Sequence, residues 1–250
     1  MFQLNFTSTC LSARLNDMSF LERLISVGVA GLLCWGCASE PDEALQIFTL
    51  DYTFGNGLNG WTAEFTDYPV GKTEEEDTIY RWKTELAPGP GSLKSQNSLL
   101  LSCENVNGDI FMFLKRRVDN LRPNTNYSLV FDISLATNAT PGQAMILKAG
   151  GSPLEPKKVI ENGHYTLNID KGDSFDGGES LFSFGDVGGL SPSSTEFNMI
   201  TKSNAYSYTP LVVRSNSKGE IWLIVGTDSM YTGTNDVYYS RINVIFSVGQ

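Results

Sequence analysis

The chain is poor in the residues that do chemistry unaided. It has one histidine, His164, four cysteines, and 18 lysines and arginines against 28 aspartates and glutamates, for a formal charge of −10. A single imidazole beside the Asn162-Gly163 turn reads as a surface or structural residue rather than a general base. No Gly-x-Ser-x-Gly elbow, His-Glu-x-x-His pair or phosphate-cradling glycine loop occurs, so the common hydrolase, metalloprotease and nucleotide-binding signatures are missing. There is no run or stripe of Lys and Arg, and an acidic surface repels phosphate backbones, which excludes nucleic acid as a partner. The same charge repels anionic lipid headgroups, so any membrane attachment must come from an acyl chain. Cys10, Cys34 and Cys37 lie near the N-terminus, and only Cys103 falls within the body of the chain. That leaves no disulfide framework and no cysteine-based zinc site. Cys103 follows Leu99-Leu100-Leu101-Ser102 and reads as a small core residue.

Long hydrophobic runs are also scarce, which makes the one near the N-terminus informative. Leu24 to Gly36 is largely apolar and ends at Cys37. It is shorter than the ~20 residues of a spanning helix but fits the ~7–15 residues of a secretory signal core. Gly36-Cys37 resembles the cleavage and lipidation site of bacterial lipoproteins, which implies an acyl anchor on Cys37. Residues 1–17 are unlike a signal n-region, and Met18 is the more ordinary start. The expected organisation is a signal segment over 1–36, a lipidated Cys37 with an acidic tether to residue 46, and one domain over 47–250. Removing 1–36 takes away Arg14, Arg23, Asp17 and Glu22, so the exported chain is as acidic as the whole. The expected location is the bacterial cell envelope.

From residue 47 onward no helical stripe occurs. Short runs rich in Val, Ile, Phe and Tyr alternate with clusters of Gly, Asn, Asp, Ser and Pro, the punctuation of an all-β protein. Strands are expected at Ile47–Phe54, Ser98–Ser102, Asp109–Val118, Asn126–Ala136, Met145–Ala149, Gly163–Ile169, Ser180–Asp186, Tyr208–Arg214, Glu220–Thr227 and Asp236–Val248. Tyr127, Leu129, Phe131, Ile133 and Leu135 alternate with Ser128, Val130, Asp132 and Ser134, the period of a strand with one buried face. Ile110–Leu114 is apolar on both faces, as in a central strand. The pattern predicts an antiparallel two-sheet β-sandwich with two long loops, Asp67–Lys94 and Gly185–Ser207.

Several blocks carry a resemblance. Phe54-Gly55-Asn56-Gly57-Leu58-Asn59-Gly60-Trp61 and Tyr238-Tyr239-Ser240-Arg241-Ile242-Asn243-Val244 resemble the opening and closing strands of jelly-roll carbohydrate-binding modules. Leu121-Arg122-Pro123-Asn124-Thr125-Asn126-Tyr127 resembles the Leu-x-Pro-x-Thr-x-Tyr corner of such sandwiches. Pro fixes φ, Asn and Thr turn the chain, and Leu and Tyr pack beneath. Blocks such as Phe65-Thr66-Asp67-Tyr68-Pro69-Val70-Gly71 and Trp222-Leu223-Ile224-Val225-Gly226 resemble uncharacterised secreted bacterial proteins. The resemblance implies a jelly-roll, galactose-binding-like sandwich and a glycan ligand, although a fold alone does not set function.

The candidate sites follow from residue chemistry. Trp82 and Tyr80 in the polar Asp67–Lys94 stretch, and Tyr231 between Ser229-Met230 and Thr232-Gly233, are the rings expected to stack on a pyranose. Trp61 and Trp222 are expected in the core. Asp170, Asp173, Asp176 and Glu179 stand in a glycine-rich loop that could offer calcium its six to eight oxygens, with Asp228 as a further ligand. Their spacing of three differs from the two of an Asp-x-Asp-x-Asp-Gly loop. Glu74-Glu75-Glu76-Asp77 reads as a solvated acidic run. The sequence thus points to a non-catalytic envelope binding or adhesion module. The alternatives are a structural envelope protein without a small ligand, or a glycan hydrolase using two carboxylates ~5–9.5 Å apart.

Overall fold

The computed structural model describes residues 47–71, 79–140, 142, 144–188 and 197–248, all within the compact unit Leu45–Gln250. The signal segment, Cys37, the tether and the Glu74–Asp77 run lie outside the described residues. Among the described residues fifteen strands run in chain order: β1 (Ile47–Thr53), β2 (Thr62–Thr66), β3 (Tyr68–Pro69), β4 (Lys83–Pro88), β5 (Asn97–Asn105), β6 (Ile110–Val118), β7 (Asn126–Thr137), β8 (Met145–Ser152), β9 (Lys158–Glu161), β10 (His164–Leu167), β11 (Leu181–Asp186), β12 (Asn198–Ser203), β13 (Leu211–Arg214), β14 (Ile221–Ser229) and β15 (Gly233–Val248). All ten expected strands are present. The two expected long loops are partly strand, since β3 and β4 fall in the first and β12 in the second.

Every pairing is antiparallel, and the chain forms the expected two-sheet sandwich. One sheet has the order β12-β7-β15-β5-β4, with β1 also on β15 and β13 also on β7. The other has the order β11-β8-β14-β6-β2. A small sheet, β3-β10-β9, lies beside them. The alternation read from β7 sets the core: Tyr127, Leu129, Phe131, Ile133 and Leu135 are wholly buried, and Val237, Tyr239, Ile242, Val244 and Phe246 of β15 join them. They face Met112, Leu114, Leu147, Ala149, Leu223 and Val225 of the second sheet. Cys103 is buried among them, and its thiol pKa is raised by burial. The Leu-Pro corner forms as expected, with the Arg122 N–H donating to the phenol of buried Tyr127 at 2.9 Å.

β6 is central and apolar on both faces. Its outer residues Phe111 and Phe113 pack with Leu181 and Ile224, under Leu167 and Ile169. The segment 153–180 therefore lies over the outer face of the five-stranded sheet. Gly150 shows how closely: a Cβ there would meet the Ser180 carbonyl oxygen at 2.0 Å, and the Gly151 N–H donates to that oxygen at 3.1 Å. Trp61 is in the core. Trp222 is not; it projects from the outer face of β14, half-buried, because the inward positions of that strand belong to Ile221, Leu223 and Val225.

Candidate functional site

Of the three rings expected to meet a sugar, Tyr80 and Trp82 pack in an aromatic cluster and Tyr231 is half-buried. Tyr80 is buried and stacks on Trp82 with centroids 4.7 Å apart. Trp82 also packs on Phe65 and Tyr68 at 4.5 and 5.1 Å. The Tyr80 phenol accepts a hydrogen bond from Asn107 Nδ2 at 2.8 Å. Such pairs contribute ~0.5–1.5 kcal/mol each beyond area burial, so this cluster holds the β3–β4 region together. Tyr231 is half-buried with its ring beside Gly233.

Among the described residues the four loop carboxylates do not gather at metal-ligand spacing; two of them are turned onto the backbone of their own loop. Asp170 accepts the Gly172 and Glu179 N–H groups at 2.9 and 2.8 Å. Asp173 accepts those of Phe175 and Asp176 at 3.0 and 2.8 Å. These backbone bonds hold both carboxyls below the ordinary value and close two Asx turns. The glycines have a matching cause. Gly172 has φ +75°, and a Cβ on Gly178 would meet the Asp170 carboxyl at 2.4 Å. The acidic, glycine-rich composition thus folds a tight loop. Among the described residues the carboxylates that do converge are Asp67, Asp109 and Asp228, with oxygens within 4.8 Å of one another. Lysines occupy their midst: Lys171 Nζ lies 2.6 Å from Asp228 Oδ2 and 3.0 Å from Asp67 Oδ2.

That loop forms one wall of a groove of about 430 Å³, within the ~300–1,000 Å³ range of small-ligand sites. The wall is Gly177, Gly178, Glu179, Leu181, Phe182 and Ser183, and Thr209, Pro210, Leu211 and Val212 face it. It therefore opens at the sandwich edge, between edge strand β11 of one sheet and β13 of the other. Fully exposed Tyr206 and Tyr208 lead into the second wall, and exposed Phe175 precedes the first. None of these three rings has a ring partner among the described residues. A second cavity, of about 390 Å³, is lined by Thr53–Asn56, Ser95–Asn97 and Ser240. Its only aromatic, Phe54, is buried.

The tyrosine-bearing segment is pinned. Asn204 is buried where β12 leaves β7 and before β13 joins it. Its Oδ1 accepts the Phe131 N–H at 2.7 Å, and its Nδ2 donates to the Leu129 carbonyl at 3.0 Å. One side chain thus supplies the rung that a strand backbone would have made. The Ser207 N–H donates to the Asn204 carbonyl at 3.0 Å, and Ser207 Oγ bonds to Thr209. This short, tied segment leaves Tyr206 and Tyr208 little backbone freedom. On the open polar face of the larger sheet, by contrast, charged and amide side chains pair with one another: Arg241 forks onto Asp51 at 2.7 and 2.8 Å, and Asn243 donates to Asp132 at 3.2 Å.

In the sequence Glu179 stands among the calcium candidates and Tyr208 at the start of an expected strand, while Tyr206 falls within the expected Gly185–Ser207 loop. The polarity of Asn204-Ala205-Tyr206-Ser207-Tyr208-Thr209-Pro210 was the available signal, because tyrosines in a Pro-terminated polar segment are poorly placed for a core.

No protein-family profile matches the chain, and no curated protein matches it. Solved structures of low similarity do. The enzymatically active domain of bacteriophage CBA120 tailspike protein 4 is 16% identical, with a TM-score of 0.34 over 76% of this chain and 20% of that one. The family 11 carbohydrate-binding module of the Clostridium thermocellum cellulase Lic26A-Cel5E is 14% identical, with a TM-score of 0.36 over 83% and 96%. The K1 cleaved adhesin domain of Lys-gingipain from Porphyromonas gingivalis W83 is 13% identical, with a TM-score of 0.35 over 81% and 99%. The chain thus spans about a fifth of the tailspike chain it matches. At such scores none of the three assigns a ligand to this chain.

Proposed function

We propose that this chain is a non-catalytic saccharide-binding module, exported and held at the bacterial envelope by an acyl chain on Cys37, with the edge groove as its binding seat. The observation that carries the proposal is the pair of fully exposed tyrosines on a pinned segment that runs directly into one wall of a groove whose other wall contains Glu179. A tyrosine ring presents an apolar face to the C–H face of a pyranose and a phenol to its hydroxyls. Glu179 adds an acceptor, while Thr209 and Ser183 add hydroxyls. Among the described residues the lining has no Lys or Arg, which favours a neutral saccharide over an acidic one. Holding the rings in place before binding lowers the ordering cost of capture.

The converging carboxylates do not favour a hydrolase. Asp228 is wholly buried and has two lysine ammoniums on it, which is a poor arrangement for an acid that must reach a glycosidic oxygen. The test is calorimetric titration of neutral oligosaccharides into the purified protein and into Tyr208→Ala and Glu179→Gln. Binding that both variants weaken supports the groove, and binding that neither changes removes it. The anchor is tested separately by the mass of the mature N-terminus: a diacylglyceryl group on Cys37 supports it, and an intact Met1 or Met18 terminus contradicts it.

A further inference from the structure

Beneath the groove-forming loop, on the outer face of the five-stranded sheet, is a buried charged cluster that saccharide binding does not use. Asp228 of β14 is wholly buried, and its Oδ1 has no hydrogen-bond partner among the described residues. Its Oδ2 receives Lys171 Nζ at 2.6 Å and Lys148 Nζ at 3.1 Å. Lys148, itself wholly buried, also donates to the carbonyls of Lys171 and Asp173, so all three of its ammonium hydrogens are engaged. Among the described residues the ion-pair partners of Lys171 are Asp228, and Asp67 Oδ2 at 3.0 Å. The Lys171 ammonium lies over the Phe111 ring, 5.4 Å from its centroid. Phe111 in turn packs with Phe113, Ile224 and Leu181. An amine and a carboxyl are thus held in contact, largely out of water, with a second carboxyl touching the amine.

We infer that Lys171 and Asp228 condense to an intramolecular amide, with Asp67 carrying the protons. The step balances without any co-reactant. Asp67 takes a proton from the Lys171 ammonium and passes it to the Asp228 carboxylate. The freed Nζ attacks Asp228 Cγ, and the new C–N bond forms. Asp67 then takes the second nitrogen proton and delivers it to Oδ2, the C–Oδ2 bond breaks, and one water leaves. Nothing is oxidised or reduced.

Three observations support the step. Amide formation from free partners in water is held back by the water itself, but well-oriented intramolecular reactions reach effective molarities of ~10⁵–10⁸ M, and 2.6 Å is contact distance. The amide also removes two buried charges, whose desolvation opposes the fold, and turns the unpartnered Oδ1 from a carboxylate oxygen into a neutral carbonyl. Finally, burial raises the Asp67 pKa from its ordinary value despite the pull of Lys171, a shift in the direction that suits a group passing a proton on. The pKa of Lys171 is itself raised, because Asp228 and Asp67 outweigh the lowering effect of its burial, so the nitrogen needs that relay before it can attack. The bond ties β14 to the root of the loop over 170–180, and so fixes one wall of the groove.

Mass spectrometry of the purified full chain tests this. After trypsin, the expected species is the 159–202 peptide, uncut at Lys171, joined to the 219–241 peptide with the loss of one water. Two separate peptides, with cleavage after Lys171, overturn the proposal in the wild-type protein alone, whether or not any variant folds. A join through Lys148 overturns the choice of nucleophile. Asp228→Asn gives the same joined product by losing ammonia instead of water. Asp67→Asn leaves the peptides separate, and a full yield of joined peptide in that variant overturns the role of Asp67. The readout does not involve saccharide, so it stands whether or not the groove binds one.

Discussion

Asn204→Ala tests the pinned segment directly. The substitution strips a partner from two backbone groups on β7, the Phe131 N–H and the Leu129 carbonyl. Asn204 is 6% exposed, so water reaches the site poorly. An unsatisfied buried donor or acceptor costs ~1–3 kcal/mol. Two of them, partly relieved by a water entering the space the amide leaves, give an expected loss of about 2–4 kcal/mol by the same principle. Urea unfolding followed by tryptophan fluorescence should show a lower midpoint with an unchanged slope. Asn204→Asp should be no better: it keeps the acceptor for Phe131 but sets an unpaired buried carboxylate against the Leu129 carbonyl. Both variants should also weaken saccharide binding, because Tyr206 and Tyr208 lose their fixed backbone. A loss under about 0.5 kcal/mol, the range of ordinary surface changes, would refute the role given to Asn204.

Other perturbations separate the site from the scaffold. Tyr206→Ala and Tyr208→Ala should change stability by no more than about 0.5 kcal/mol while reducing saccharide affinity in titration; a stability loss with unchanged affinity would reverse the assignment. Trp82→Ala should do the opposite, costing about 3–5 kcal/mol if its stacked cluster behaves as core, with affinity retained by whatever fraction remains folded. Asp170 has a lowered folded pKa, caused first by the Glu179 and then by the Gly172 N–H. Its contribution is therefore present above the ordinary carboxylate value and lost as pH falls through the folded value, so Asp170→Asn should flatten the acid limb of a stability–pH curve. Chelator should leave the melting temperature unchanged, since the loop carboxylates are engaged by backbone; a clear fall on chelation would restore a structural ion.

The sandwich was legible because its central strands carry their instruction in every second residue. β7 alternates, and β6 and β14 are buried on both faces because the 153–180 segment covers the back of their sheet. The strands that escaped notice are short or lie at edges. Lys83–Pro88 is the edge strand β4, Asn198–Ser203 the edge strand β12, and Lys158–Glu161 part of a side hairpin. Edge strands bear charge and break alternation because that guards against edge-to-edge association, so the hydrophobic period fades where the sheet ends. The site was harder to read for a related reason. Tyr80 and Tyr208 both sit among polar neighbours in the sequence, yet one is buried under Trp82 and the other stands in solvent. That difference is made by contacts from residues distant in the chain, such as Asn107 and Phe131. The acidic loop shows the same limit: Asp170 and Asp173 were visible as carboxylates, but their oxygens are turned onto their own backbone.

The most direct test of the saccharide-binding claim is calorimetric titration of a neutral oligosaccharide panel into the wild-type protein and into Tyr208→Ala, at matched folded fraction. Saturable binding of at least one neutral saccharide, reduced tenfold or more in the variant (about 1.4 kcal/mol), is the predicted result. Binding of equal affinity in both proteins, or no binding across the panel, would contradict it.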